Sequence, residues 1–77
     1  MDNYITRYER DFARYSRACK VTRANTKAID ALEELWSLLG DDCKQKSKIA
    51  CQLAALMTLH RSLKKVEDFA LDQLARD

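Results

Sequence analysis

Proline is absent from these 77 residues, and glycine occurs once, at Gly40. A β-rich chain needs turn residues every ~8–12 positions. Their scarcity excludes a sandwich or barrel and leaves helices as the economical reading. No apolar run approaches the ~18 residues of a membrane span. The N-terminus is charged from Asp2 onward and lacks the apolar stretch of a secretory leader. Cysteine is sparse and odd in number, at positions 19, 43 and 51, without a framework of close spacings. The expectation is a cytoplasmic protein with reduced thiols.

Catalytic patterns are missing too. The chain has one histidine, His60, and no glycine-rich loop, GxSxG or HExxH. A general base needs an oriented partner and a pocket, and a miniature helical fold offers little cavity. His60 is therefore expected at a core boundary, and the chain is not expected to be an enzyme or to take a cofactor or small-molecule substrate. Cys43 and Cys51 lie eight residues apart, or ~12 Å along a helix. One zinc ion holds sulfurs at ~2.3 Å and cannot span them. The cysteines read as small apolar residues, and no metal is expected.

What is present is helical. Hydrophobic residues make up 47% of the chain and charged residues 34%, too apolar a mixture for a disordered tail. After a cap at Asp2 or Asn3, Ile5, Tyr8, Phe12, Tyr15, Cys19 and Thr22 recur every three or four residues. Arg7, Arg10, Arg14 and Arg17 repeat in the same way, displaced by two residues, so they lie roughly opposite the aromatic stripe. The polar stretch 22–27 suggests a bend, with Asn25 or Thr26 capping a second helix. Thr22, Thr26, Ile29, Leu32, Trp36 and Leu39 nevertheless keep one phase, which also permits a single helix over 3–39. Gly40 is expected to end it in a left-handed conformation. Asp41 or Asp42 would cap the next helix, Asp42 with Gln45 resembling a capping box. Residues 43–75 then run on without a breaker.

The expected fold is all-α and a single domain, with helices about 3–22, 26–39 and 43–75. It is an antiparallel helical hairpin or a three-helix bundle, completed by oligomerisation. Charge order favours folding back at 40–42. Residues 1–27 carry seven Lys/Arg against three Asp/Glu, 28–42 only five acidic residues, 43–65 only six basic ones, and 66–77 one basic and four acidic. Antiparallel pairing sets unlike blocks side by side, although each surface pair contributes only a fraction of a kcal/mol.

Two surfaces carry functional expectations. Residues 49–59, IACQLAALMTL, are apolar nearly all round, and such a helix is covered on several sides. A chain this short rarely closes a sufficient core alone. A protein interface through Trp36, Leu39, Leu53, Leu56, Met57, Leu63 and Phe69 is therefore expected, to a second copy or another helical protein. Trp36, Leu53 and Leu56 are taken as buried anchors. The other surface is basic: Arg17, Lys20, Arg23, Arg61, Lys64 and Lys65 meet in the hairpin and suit a phosphate backbone. With a net charge of only +2, a solvated face that aids solubility is the more economical role. The leading expectation is a protein–protein interaction module that acts by bundle packing or helix-in-groove binding. A nucleic-acid-binding regulator is the alternative, and no membrane partner is expected.

Overall fold

The computed structural model describes the backbone of residues 3–76 and the side chains of residues 6–76. The expected cap at Asp2 or Asn3, and the side chains of Tyr4 and Ile5, lie outside the described side chains. Two antiparallel helices form the whole fold: α1 over Asn3–Leu38 and α2 over Gln45–Arg76. The molecule is an elongated hairpin of 65 × 15 × 13 Å. Its radius of gyration is 17.8 Å, against ~11–12 Å for a compact domain of this length. A three-helix bundle is excluded among the described residues, because α1 does not break.

The reason it does not break lies in what 22–27 does with its polar groups. Thr22 Oγ1 donates to the Ala18 carbonyl at 3.0 Å, and Thr26 Oγ1 to the Thr22 carbonyl at 3.1 Å. Both hydroxyls bond back one turn within the helix instead of capping a new one. Asn25 Nδ2 reaches across to the Leu56 carbonyl at 3.1 Å. The residues that suggested a bend from sequence thus serve the helix and its packing.

The two helices meet along one seam. On α1 the sheltered positions run 11, 15, 18, 22, 25, 29 and 32, with 16, 19 and 28 half-sheltered beside them and 39 following in the turn, and on α2 they run 46, 49, 53, 56, 60, 63, 67, 70 and 74, with 73 beside them. The alternation of three and four is the coiled-coil repeat. Only Ala70 is buried among the hydrophobic residues described, at 2% exposure. Thr22 and Asn25, at 8% each, are the other buried positions. Leu32, Leu39, Ile49, Leu53, Leu56 and Leu63 are half-buried.

The turn differs from its sequence expectation. α1 ends at Leu38, where the Leu39 amide donates to the Trp36 carbonyl at 3.3 Å in a tightened last turn. Gly40 does not take a positive φ, so it is not the left-handed stop expected. The Cys43 amide donates to the Gly40 carbonyl at 3.0 Å and the Lys46 amide to the Cys43 carbonyl at 3.1 Å, which delays α2 to Gln45. Asp42 therefore sits too far upstream to cap it. Lys46 ties the turn instead, bonding Asp41 Oδ1 at 3.0 Å with its ammonium 4.0 Å from the Trp36 ring centroid. The three ion pairs described, Lys46–Asp41, Lys64–Glu67 and Arg76–Asp72, are all local in sequence. Among the described residues the complementary charge blocks form no ion pair between helices, so the register is left to the contacts within the seam.

Two substitutions test this packing. Ala70→Leu is expected to overfill the tightest point of the seam and cost about 1–3 kcal/mol, read from denaturant unfolding. A Cβ at Gly40 meets only the mobile carboxylate of Asp42, at 2.9 Å. With no positive φ required, Gly40→Ala is expected to leave stability unchanged or raise it by up to about 1 kcal/mol. A loss of more than that would mean that the turn does need glycine.

Candidate functional site

The seam divides the hairpin surface into two flanks. Around α1, Val21 and Thr26 are five residues apart, or ~140° around the axis, so they face opposite sides of the seam. One side is a tryptophan flank. Trp36, Glu33, Leu53 and Met57 line an open groove of about 540 Å³ there. It continues past Thr26, Ile29, His60 and Arg61. The other side is an arginine flank, where Arg14, Arg17 and Val21 of α1 border Leu63 and Val66 of α2.

The expected protein interface is distributed over all three regions. Leu39, Leu53, Leu56 and Leu63 belong to the seam and hold the hairpin together. Trp36 and Met57 lie on the tryptophan flank, and Trp36 is 42% exposed, so it is not the buried anchor expected. Phe69, 61% exposed, lies one turn beyond Val66 on the arginine flank. Tyr8 and Phe12, stacked with ring centroids 6.3 Å apart, are also exposed. The aromatic stripe of α1 thus enters the seam only from Tyr15 onward.

Sequence reasoning places Leu35, Leu38, Leu59, Val66 and Leu71 on broad apolar stretches without separating them from the seam, and passes over Val21. Val21, Leu35, Leu38, Leu59, Val66 and Leu71 are exposed hydrophobics, Leu38 at 75%. All but Leu71 belong to the arginine flank. The signal was in the sequence: Val21, Ala24, Ala28, Ala31, Leu35 and Leu38 recur at spacings of three and four. This row runs parallel to the seam and was hidden by the stronger pattern beside it.

The six expected basic contacts do not form one patch. Arg17 and Lys20 share a surface with Phe12 and Ser16. Arg10 and Arg14, absent from the expected set, adjoin Arg17. Arg61 belongs to the tryptophan flank beside Thr26 and Met57. Lys64 is held at 3.6 Å from Glu67. Arg23 and Lys65 are exposed and line none of these grooves.

The seam itself has a polar middle. Glu67 there accepts from the thiol of Cys19 at 3.7 Å and pairs with Lys64. The Thr22 hydroxyl is the main influence holding the Glu67 carboxyl below the usual glutamate range; partial burial opposes it, and Lys64 and Cys19 add to the lowering. That hydroxyl has one proton, and the geometry directs it to the Ala18 carbonyl at 3.0 Å, so the contacts placed on the carboxylate are those of Lys64 and Cys19. Tyr15 is raised above the ordinary phenol value, chiefly by its contact with Cys19, then by burial and the Glu67 and Asp68 charges. His60 Nδ1 is buried without a hydrogen-bond partner. No carboxylate bonds this ring to orient it as a base among the described residues. No helix of the described residues is long and apolar enough to cross a membrane.

Compared with known proteins, the chain matches no family model, no curated protein and no solved structure.

The Glu67 contacts set a pH dependence. A carboxyl that titrates lower in the folded chain than in the unfolded one contributes stability above the ordinary glutamate range. That contribution is lost as pH falls through the folded value. The melting temperature is expected to drop between about pH 6 and pH 3, and Glu67→Gln to make the drop shallower. An identical pH profile for the variant would show that Glu67 has no such role.

Proposed function

We propose that this chain is a helical protein–protein interaction module that acts by packing its exposed flanks against other helices. The observation behind this reading is the distribution of its large apolar side chains. Among the described residues eleven of them, from Tyr8 to Leu71, are at least 41% exposed, whereas Ala70 is the one described hydrophobic residue that is buried. Singly scattered hydrophobic residues are ordinary on a surface, but rows of large ones along a groove mark a contact site. Rows at three- and four-residue spacing are what a partner helix reads when it lies along a groove. The partners are of the same kind, helical proteins or copies of the chain itself.

A nucleic-acid-binding reading retains one supporting observation. Arg10, Arg14, Arg17 and Lys20 adjoin one another on α1, and none has an ion-pair partner among the described residues. Four phosphate contacts would make binding fall steeply as salt rises from about 50 to 200 mM.

Paired variants separate the two readings. Val66→Glu with Phe69→Glu is expected to preserve helical circular dichroism and weaken capture of protein partners by at least about 30-fold, the loss of one interface hot spot. Arg14→Glu with Arg17→Glu is expected to abolish salt-sensitive binding to mixed-sequence duplex if the second reading holds. Partner capture equal to the wild type by the glutamate pair at 66 and 69 would remove the first.

A further inference from the structure

The second apolar row says which partner closes the arginine flank; this step rests on the interaction reading above. We propose that a second copy of the chain packs there face to face, with its loop at the opposite end, to form an antiparallel four-helix dimer in which α1 lies on α1.

Three observations converge on this. The first is periodicity. Val21, Ala24, Ala28, Ala31, Leu35 and Leu38 form a second seam on a helix whose first seam is already used. On α2, Ala55, Leu59, Val66 and Phe69 continue the same face. A helix with two adjacent heptad seams is built to pack against two neighbours at once, and the hairpin supplies only one.

The second is area. The chain exposes 6059 Å², against about 4,800 Å² for a compact monomer of its mass. The excess of about 1,200 Å² is spread along the whole elongated hairpin, and burying ~800 Å² of it, one partner's share of an interface of standard size, would bring the exposed area close to that of a compact chain.

The third is self-complementarity, in both size and charge. Centred on Ala28, an antiparallel pairing sets Ala28 against itself and Val21 against Leu35, and brings Ala24 within one residue of Ala31 of the second copy. The alanines at the middle allow close approach of the helix axes, and the larger side chains interdigitate on either side. The same pairing carries Arg14 to the acidic turn at Asp41 and Asp42 of the second copy. Placing both loops at one end would instead gather Arg10, Arg14 and Arg17 of both copies together. Within one hairpin, Arg14 and Asp42 lie near opposite ends of a 65 Å molecule and cannot meet, so any coupling between them reports the dimer.

Sedimentation equilibrium of the full chain at about 10–100 µM, a range suited to weak interfaces, tests this directly. The expected mass is twice 8.9 kDa. Ala28→Glu, which puts like charges face to face, is expected to return the mass to one chain. Val66→Glu, at a site already open to solvent, is expected to do the same and serves if Ala28→Glu loses helicity. Arg14→Glu is expected to weaken dimerisation about tenfold at low salt, and adding Asp42→Arg to restore it. A dimer that survives Ala28→Glu and Val66→Glu but is lost in Trp36→Glu would overturn the choice of flank. Failure of Asp42→Arg to rescue would overturn the antiparallel arrangement. A monomer that strongly enhances anilinonaphthalene sulfonate fluorescence would overturn self-association while leaving the flank as a docking face for another protein. A monomer that does not bind the dye would overturn both readings.

Discussion

Two helices can shelter only one stripe of each other, and the middle of that stripe here is polar. Asn25 donates across the seam to the Leu56 carbonyl, and one turn away Thr22 and Cys19 attend the Glu67 carboxylate. Such contacts contribute little net stability, because each partner gives up water to make them. Their effect is discrimination. Any register that left the Asn25 amide or the Glu67 carboxylate without its partners would carry the full cost of desolvating it. A single polar residue at a core position of a coiled coil fixes register in the same way. The rest of the architecture depends on that choice. A seam that spends its best-shielded positions on threonine and asparagine has few left for leucine.

The apolar side chains displaced from the seam line the two flanks. This explains why the hairpin is long and why its exposed surface is large for its mass. An α-helical hairpin of this size sits near the limit at which one core outweighs chain entropy. Occupation of a flank by another helix would add burial without disturbing the polar register, since the two surfaces use different sides of each helix. Asn25, Thr22 and Glu67 lie within the seam, whereas the row proposed for association, from Val21 to Leu38, runs beside it.

Much of this was legible in the sequence, and the misses share one cause. The absence of proline and the single glycine announced helices, and charge order pointed to a reversal near Gly40. The break expected at 22–27 failed because threonine and asparagine are ambiguous in isolation. The same groups that cap a helix end also bond back to the preceding turn or across to a neighbour, and only the presence of α2 decides. Gly40 misled in a related way: glycine permits a left-handed residue without requiring one. Trp36 was read as core from its size, although its position beside the seam leaves one face open and lets Lys46 cover the other. The leucines of the second row merged with the seam into one broad face, because the alanines that set the row apart carry little weight in a search for large side chains.

The placement of the chromophores has a practical side. The only tryptophan stands at the loop end, under the ammonium of Lys46, whereas the tyrosines at 4, 8 and 15 all belong to the first turns of α1, at the other end. Indole and phenol emission therefore view the two extremities of the molecule separately. Unzipping from the open end would alter the tyrosine signal while the tryptophan stayed silent, and melting of the turn would do the reverse. The natural chain thus carries its own pair of optical reporters, and the direction in which it comes apart is readable without a label.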